Sequence, residues 1–148
     1  MLSNKAMNKV ANQLHYLTEA SPAQDRMSTE LNKIYDKIAY NSIKNDPFES
    51  GGYVKKDFSI TFFQSVHLHS HIYAPPYDFY LDIINFKNDI LFCFHSHINN
   101  EEISENDLKF IKVYNLDSLI YIIDSKKFLS VNTKYEKNYF SWDFKSAG

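Results

Sequence analysis

The sequence predicts a single α/β (α+β) domain in which helices flank a mixed β-sheet. Its 148 residues suit one domain that buries its own core. Helix and strand patterns follow one another along the chain, so the helices are spread among the strands. The run DILFCFHSH at residues 89–97 is apolar and ends in two histidines, which indicates a central strand.

Residues 1–28 are predicted to form an amphipathic helix and a polar linker ahead of the main domain at residues 29–148. Apolar side chains recur at helical spacing within residues 1–20. Residues 18–29 are polar and include Pro22, which favours a linker. The first helix is expected to pack as an appendage or to bind a partner, or else to fray as a leader.

A second helix is expected to begin at Ser28 or Thr29, since either residue can cap it. It should end near Asn45, because Pro47 disfavours helix in the residue before it. Its predicted buried stripe consists of Leu31, Ile34, Tyr35, Ile38 and Ala39.

Gly51 and Gly52 are two of only three glycines in the chain. They suggest either a special backbone conformation or a close approach of another chain segment. A strand is predicted to begin at Tyr53 and to turn at residues 55–57. Residues 59–71 are β-branched and aromatic, which is typical of a second strand.

The second half of the chain continues with alternating elements. A hairpin is expected where two strands follow each other across a short turn at residues 125–126. The last segment is predicted to be a strand or a packed aromatic tail. The predicted ranges are helix 79–87, strand 89–97, helix 104–115, strands 118–124 and 127–133, and the tail 138–144.

Composition excludes several classes of function. The net charge of -2 and the pI near 6.3 give no basic bias, so no nucleic-acid partner is expected. Cys93 is the only cysteine, which rules out an intramolecular disulfide and fits a reducing compartment such as the cytoplasm. No apolar run reaches the length of a membrane span, and the N-terminus lacks the apolar core of a signal peptide.

Two histidines at the end of the central strand are candidate metal ligands. Side chains at i and i+2 of a strand point to the same side. Two imidazoles on one face suit Zn²⁺, and a carboxylate from the next element would be a third ligand with a fourth position left for water. The predicted faces are Leu91, Cys93, His95 and His97 on one side and Phe92, Phe94 and Ser96 on the other.

The motif HSH also occurs earlier, at residues 69–71, where His67 extends it to a row of three histidines. An aspartate, Asp82, follows at a plausible distance. However, the residue three before it is Phe79 rather than a hydroxyl, and the loop between is bulky and aromatic. This earlier set is therefore interpreted as an exposed histidine row, or as a site of adventitious metal binding.

The later HSH leads instead to Ser104 and Asp107 at the start of a predicted helix. A serine followed three residues later by an acid is also typical of a capping box, whose role is purely structural. With His95 and His97 shortly upstream, a metal site is favoured over a cap alone, although both interpretations stay open.

At these residues the sequence resembles the JAMM (MPN+, JAB domain) zinc metallopeptidases. The pattern HSH-x6-S-x2-D follows a glutamate, Glu49, in the segment PFESGG, 46 positions before His95. The spacing resembles that of the compact prokaryotic and phage-tail members, over residues 30–133. The sequence departs from the family in three places: the loop before Ser104 is one residue shorter than usual, Ile98 replaces the common proline, and Gly51 replaces a cysteine.

The resemblance implies a cytidine-deaminase-like fold and a hydrolase that uses zinc. His95, His97 and Asp107 would bind Zn²⁺, and Glu49 would be the general base. Ser104 would donate a hydrogen bond to the oxyanion. Without the motif, Glu49 would be interpreted as an exposed turn carboxylate.

The implied substrate is a peptide or a ubiquitin-like protein, cut at a peptide or isopeptide bond. The setting would be phage tail assembly or the processing of a ubiquitin-like or sulfur-carrier tail, in the host cytoplasm or in a virion. Phage tail or other assembly proteins could bind residues 1–28. The alternative is a catalytically silent MPN-like assembly module. A deaminase is disfavoured because P-C-x-x-C is absent and Cys93 stands alone.

Overall fold

The computed structural model describes residues 22–66 and 73–144. Within them, three α-helices pack on a six-stranded mixed sheet, which confirms the mixed helix and strand class. One 3₁₀ turn, Lys87–Asp89, joins the second helix to the third strand. In chain order the elements are α1 (Pro22–Asn45), β1 (Ser50–Lys55), β2 (Ile60–Gln64), α2 (Tyr77–Phe86), β3 (Ile90–His97), α3 (Glu105–Tyr114), β4 (Ser118–Ile122), β5 (Lys127–Val131) and β6 (Lys137–Ser141).

The strand order in the sheet is β2-β1-β3-β4-β5-β6. Strands β3 and β4 are parallel and are connected through α3, whereas all other neighbours are antiparallel. The predicted hairpin of β4 and β5 is confirmed. Strand β3 lies inside the sheet with all of its residues buried, as predicted for the central strand. The C-terminal end of β3 therefore leads to the start of α3.

Helices cover both faces of the sheet. On one face, α1 packs through the predicted stripe: four of its members are buried, and Tyr35 is partly buried against Phe128. On the other face, Phe79 and Ile83 of α2 share an apolar cluster with Cys93 of β3. None of the described helices combines the length and the apolarity that crossing a membrane requires.

The two adjacent glycines of β1 are explained by close approach. A side chain at Gly52 would overlap the carbonyl oxygen of Thr61 on the neighbouring strand. A Cβ at Gly51 would lie 2.5 Å from the carbonyl oxygen of Phe94 and 2.7 Å from the Tyr73 ring. Neither glycine has a positive φ, so the alternative of a special backbone conformation is wrong.

Helix α1 begins at Pro22, earlier than predicted. The expected linker is therefore wrong from residue 22 onward, and the proposed boundary at residue 28 falls within α1. Proline is tolerated in the first turn of a helix, where its missing N–H has no helical partner. The helix predicted for residues 1–20 lies outside the described residues.

Strand β2 ends at Gln64, which is shorter than the strand predicted for residues 59–71. Residues 65–66 are not in a strand. The remainder of that prediction, with the three histidines of the earlier motif, lies outside the described residues.

The predicted position of Leu91 on the histidine face is wrong. Val54 pairs with Phe92 and Lys55 pairs with Ile90, so Leu91 is an extra residue in β3 at a β-bulge. The bulge interrupts the alternation of side chains, and Leu91 packs in the same cluster as Phe92. Beyond the bulge the alternation resumes as predicted.

Candidate metal centre

The candidate metal ligands come from β3 and α3, at the C-terminal end of β3. His95 and His97 lie at the end of β3, and Asp107 is the third residue of α3. Among the described residues, these three form the one cluster of histidine, cysteine and acidic side chains whose donor atoms lie close enough for a single ion, within 4.8 Å of one another. The loop from Ile98 to Ile103 therefore places Asp107 beside the two histidines.

The donor atoms of the three side chains lie close together, and each imidazole faces a different oxygen of the Asp107 carboxylate. The Nε2 atoms of His95 and His97 are 3.2 Å apart. Asp107 Oδ1 lies 3.2 Å from the Nε2 of His95, and Asp107 Oδ2 lies 3.2 Å from the Nε2 of His97. Ligand bonds of roughly 2.0–2.2 Å in a tetrahedron imply ligand separations of about 3.3–3.6 Å. The distances between neighbouring donor atoms are close to this spacing, so the three side chains would suit a zinc ion that takes its fourth ligand from water.

A backbone carbonyl fixes the tautomer of His97. Its Nδ1 lies 3.0 Å from the carbonyl oxygen of Asn100. A carbonyl oxygen only accepts hydrogen bonds, so Nδ1 carries a proton and Nε2 is the nitrogen that would bind a metal ion. This partner is typical of metal-bound histidines, whose second nitrogen is held in the same way.

The capping box predicted as an alternative is present, and it orients the proposed ligand. The Asp107 N–H donates to Ser104 Oγ at 3.1 Å, and the Ser104 N–H donates to Asp107 Oδ2 at 3.2 Å. The same Oδ2 faces His97, and Oδ1 is left for His95. The cap and the candidate metal site are therefore compatible, because the cap holds the carboxylate beside the imidazoles.

The imidazoles determine the charge of Asp107. Burial raises the pKa of this carboxyl group, but the charges and hydrogen bonds of His95 and His97 outweigh burial and hold the pKa well below its usual range. Asp107 is therefore ionised at neutral pH, as a metal ligand must be.

Glu49 lies directly before β1. Gly51 of β1 pairs with His95 of β3, so Glu49 lies near the same end of β3 as the candidate ligands. It is only 8% exposed, so the alternative of an exposed turn carboxylate is wrong. It shares a cavity of about 350 Å³ with His97, Ser104 and Asp107. All of the predicted catalytic and ligand residues except His95 thus border one cavity.

The pKa of Glu49 is raised to about 7. Burial is the main cause and the charge of Asp107 adds to it, whereas His97 and a hydrogen bond from the Tyr73 backbone oppose it. A carboxyl group with a pKa near neutrality can both take up and release a proton, which suits a general base.

Ser96, the middle residue of the later HSH, helps to position Glu49. Its Oγ accepts a hydrogen bond from the Ser50 N–H at 2.9 Å. Ser50 Oγ in turn accepts from Asn41 Nδ2 of α1 at 3.2 Å. These contacts tie the residue next to Glu49 to both β3 and α1. Sequence analysis assigned Ser96 only to a strand face, since nothing in the local pattern points to a partner 46 positions away.

The Ser104 hydroxyl borders the same cavity. Its capping bond uses a lone pair of the oxygen atom, so the hydroxyl proton remains for a second partner. Ser104 can therefore cap α3 and still donate a hydrogen bond to a substrate oxygen.

Tyr73 is a site residue that sequence analysis missed. Its ring stacks on His95, with centroids 5.9 Å apart and planes 8° from parallel. Its hydroxyl donates to the carbonyl oxygen of Phe63 at 3.1 Å. The signal that could have revealed it is Gly51, which leaves the space that the Tyr73 ring occupies.

The competing acid, Asp82, has a different role. It lies in α2, and its carboxylate accepts a hydrogen bond from the Tyr53 hydroxyl at 2.8 Å. It does not belong to the cluster of ligand atoms among the described residues. His67, His69 and His71 lie outside those residues, so the structure leaves their role untested.

Comparison with protein-family models and with curated proteins found no match for this sequence. The likeness to JAMM enzymes therefore rests on the residues of the motif, and their geometry is a separate argument for a metal site.

Proposed function

We propose that this chain is a zinc-dependent JAMM-type metallopeptidase or isopeptidase with the cytidine-deaminase-like fold of that family. The observation that supports the proposal most is the close approach of His95, His97 and Asp107. The two Nε2 atoms are 3.2 Å apart, and each lies 3.2 Å from a different carboxylate oxygen of Asp107. The position of Glu49 on a cavity that His97 and Asp107 also line adds a general base to the metal ligands.

His95, His97 and Asp107 would hold the ion. Bound zinc lowers the pKa of water toward about 7 and polarises a carbonyl group. Glu49 accepts a proton from the attacking water and passes it to the departing amine. Ser104 donates its hydroxyl proton as a hydrogen bond to the oxygen on which negative charge develops.

The substrate would be a peptide or a ubiquitin-like protein. The setting is phage tail assembly, or the processing of a ubiquitin-like or sulfur-carrier tail, in the host cytoplasm or a virion. Residues 1–28 would bind phage tail or other assembly partners. These assignments rest on the resemblance of the motif, and the metal experiment below does not depend on them.

One experiment with four forms of the full-length chain tests the proposal. Zinc content is measured by mass spectrometry, and cleavage is measured on peptide and isopeptide libraries. Wild type should hold about one zinc per chain. His95→Ala should lose zinc, whereas His71→Ala, the matched change in the earlier HSH, should keep it. Glu49→Gln should keep zinc and lose cleavage by at least about a hundredfold.

Each result has a defined meaning. Loss of zinc in His71→Ala but not in His95→Ala would place the metal at the earlier motif and overturn the proposal. If wild type and Glu49→Gln both bind zinc and are equally inactive, the catalytically silent MPN-like assembly module replaces the peptidase.

A further inference from the structure

A second, smaller cavity lies directly beside the candidate metal centre. Its volume is about 90 Å³. His95 and Asp107 line it on the metal side, and no lysine or arginine is among its lining residues. The rest of its wall is mainly aromatic and consists chiefly of Tyr73, Phe79, Tyr80, Cys93, Phe94 and Phe110.

The aromatic wall is already packed. Phe79 is buried, and its ring makes edge contacts with Tyr80 at a centroid distance of 5.4 Å and with Phe63 at 5.4 Å. Phe110 stacks on Phe79 at 5.9 Å. Such interlocked rings keep the shape of the cavity without a bound ligand, as is usual for small-molecule and side-chain pockets.

The small cavity and the larger polar cavity meet at the candidate ligands. Asp107 and Tyr73 line both of them, with His95 on the apolar side and His97 and Glu49 on the polar side. A peptide substrate that lies in the polar cavity, across the metal position, can therefore place one of its side chains in the apolar cavity.

The size of the cavity limits that side chain. An apolar cavity of about 150 Å³ holds benzene, with six carbon atoms, so a volume of about 90 Å³ suits about four carbons. An aliphatic side chain of the size of valine, leucine or isoleucine meets this limit. A charged substrate side chain would lose its hydration in this cavity, and apart from the metal ligands no charged residue lines the cavity to compensate for it.

We propose that this apolar cavity is a specificity pocket that takes an aliphatic side chain next to the bond that the enzyme cuts. The inference rests on the proposed function, since it requires a metal at His95, His97 and Asp107. The pocket predicts that the enzyme prefers substrates with a branched aliphatic residue beside the scissile bond to substrates with glycine at that position.

A series of straight-chain hydroxamates tests the pocket without measuring catalysis. Acetohydroxamate and its homologues up to octanohydroxamate are titrated into the zinc-loaded full-length chain by calorimetry, because a hydroxamate binds zinc and its alkyl chain can enter the pocket. Affinity should rise about fourfold per methylene and level off after about four carbons.

Two variants and one control locate the effect. Cys93→Leu should fill the pocket and remove the gain with chain length, while acetohydroxamate still binds. Phe110→Ala should enlarge the pocket and move the plateau to longer chains, and it keeps the test decisive if Cys93→Leu does not fold. Phe86→Ala, an exposed aromatic residue of α2 outside the pocket wall, should match wild type.

The outcomes separate this inference from the proposed function. If acetohydroxamate binds but longer chains gain nothing, or if Phe110→Ala has the wild-type plateau, the pocket assignment is overturned and the metal centre stands. If the chain takes up no zinc, the proposed function fails and the pocket assignment fails with it.

Discussion

Two aspartates lie near the two ends of α3, and their pKa values are shifted in opposite directions. Asp107, in the first turn, faces two imidazoles that hold its pKa well below the usual range. Asp117, just beyond the end of the helix, is fully buried, and burial raises its pKa to about 8. Burial acts on both in the same direction, so the difference lies in their partners.

The partners of Asp117 are those of a structural residue. Its Oδ1 accepts a hydrogen bond from the Thr133 N–H at 3.2 Å. Its Oδ2 is buried without a hydrogen-bond partner among the described residues. Burial therefore favours the neutral form of Asp117, whereas the imidazoles favour the ionised form of Asp107. A buried acid indicates a metal site only where other donor atoms share its position.

The largest expected difference between the two aspartates is in zinc binding. Asp107→Asn should lower zinc affinity by at least about a hundredfold, because it removes a charged ligand. Asp117→Asn should leave zinc affinity unchanged. Competition with a chelator of known affinity measures both. Equal losses in the two variants would mean that the effect comes from damage to α3 rather than from a ligand.

Asp107 differs from Asp117 also in its capping partner, Ser104, which both caps α3 and borders the polar cavity. Ser104→Ala should cost about 1 kcal/mol of unfolding free energy through the lost cap. It should also lower kcat by about a hundredfold to a thousandfold through the lost oxyanion donor. Ser104→Thr keeps the hydroxyl and should restore most of both.

Urea unfolding and steady-state kinetics separate the two roles of Ser104. If Ser104→Ala loses stability but keeps full turnover, the serine is a helix cap only.

A further expected difference is the pH dependence that Asp117 gives to stability. An unfolded aspartate ionises near about pH 4, whereas folded Asp117 keeps its proton up to about 8. Between these values the folded chain binds the extra proton, so the unfolding free energy falls by up to about 1.4 kcal/mol per pH unit as pH rises. This contribution is complete below about pH 4 and is lost as the pH rises through about 8.

Asp117→Asn should remove this slope. Urea unfolding of zinc-free wild type and variant from pH 5 to pH 9 measures it, and the contribution of Glu49 cancels because both proteins carry that residue. Parallel curves for the two proteins would show that Asp117 is ionised in the folded chain.

Local patterns predicted much of the fold and of the candidate site. The 3.6-residue period of α1, the apolar run of β3 and the hairpin of β4 and β5 depend on neighbours in sequence, and each is present. The proximity of His95, His97 and Asp107 could be predicted because i and i+2 of a strand share a face and because a capping box places its acid in the first turn of a helix.

The features that could not be predicted depend on distant partners. The bulge that moves Leu91 exists only in the pairing of β1 with β3. The hydrogen bond from Ser50 to Ser96 and the stacking of Tyr73 on His95 also join segments that are far apart in sequence. The early start of α1 has another cause: the polar composition of residues 18–29 suggested a linker, although it is also compatible with an exposed helix.

X-ray absorption spectroscopy of the zinc-loaded full-length chain tests the central claim most directly. We expect about four nitrogen or oxygen ligands at roughly 2.0–2.2 Å, with the scattering pattern of two imidazoles. A sulfur ligand would implicate Cys93, and three or more imidazoles would implicate histidines other than His95 and His97. Either result would contradict a centre built from two histidines and Asp107.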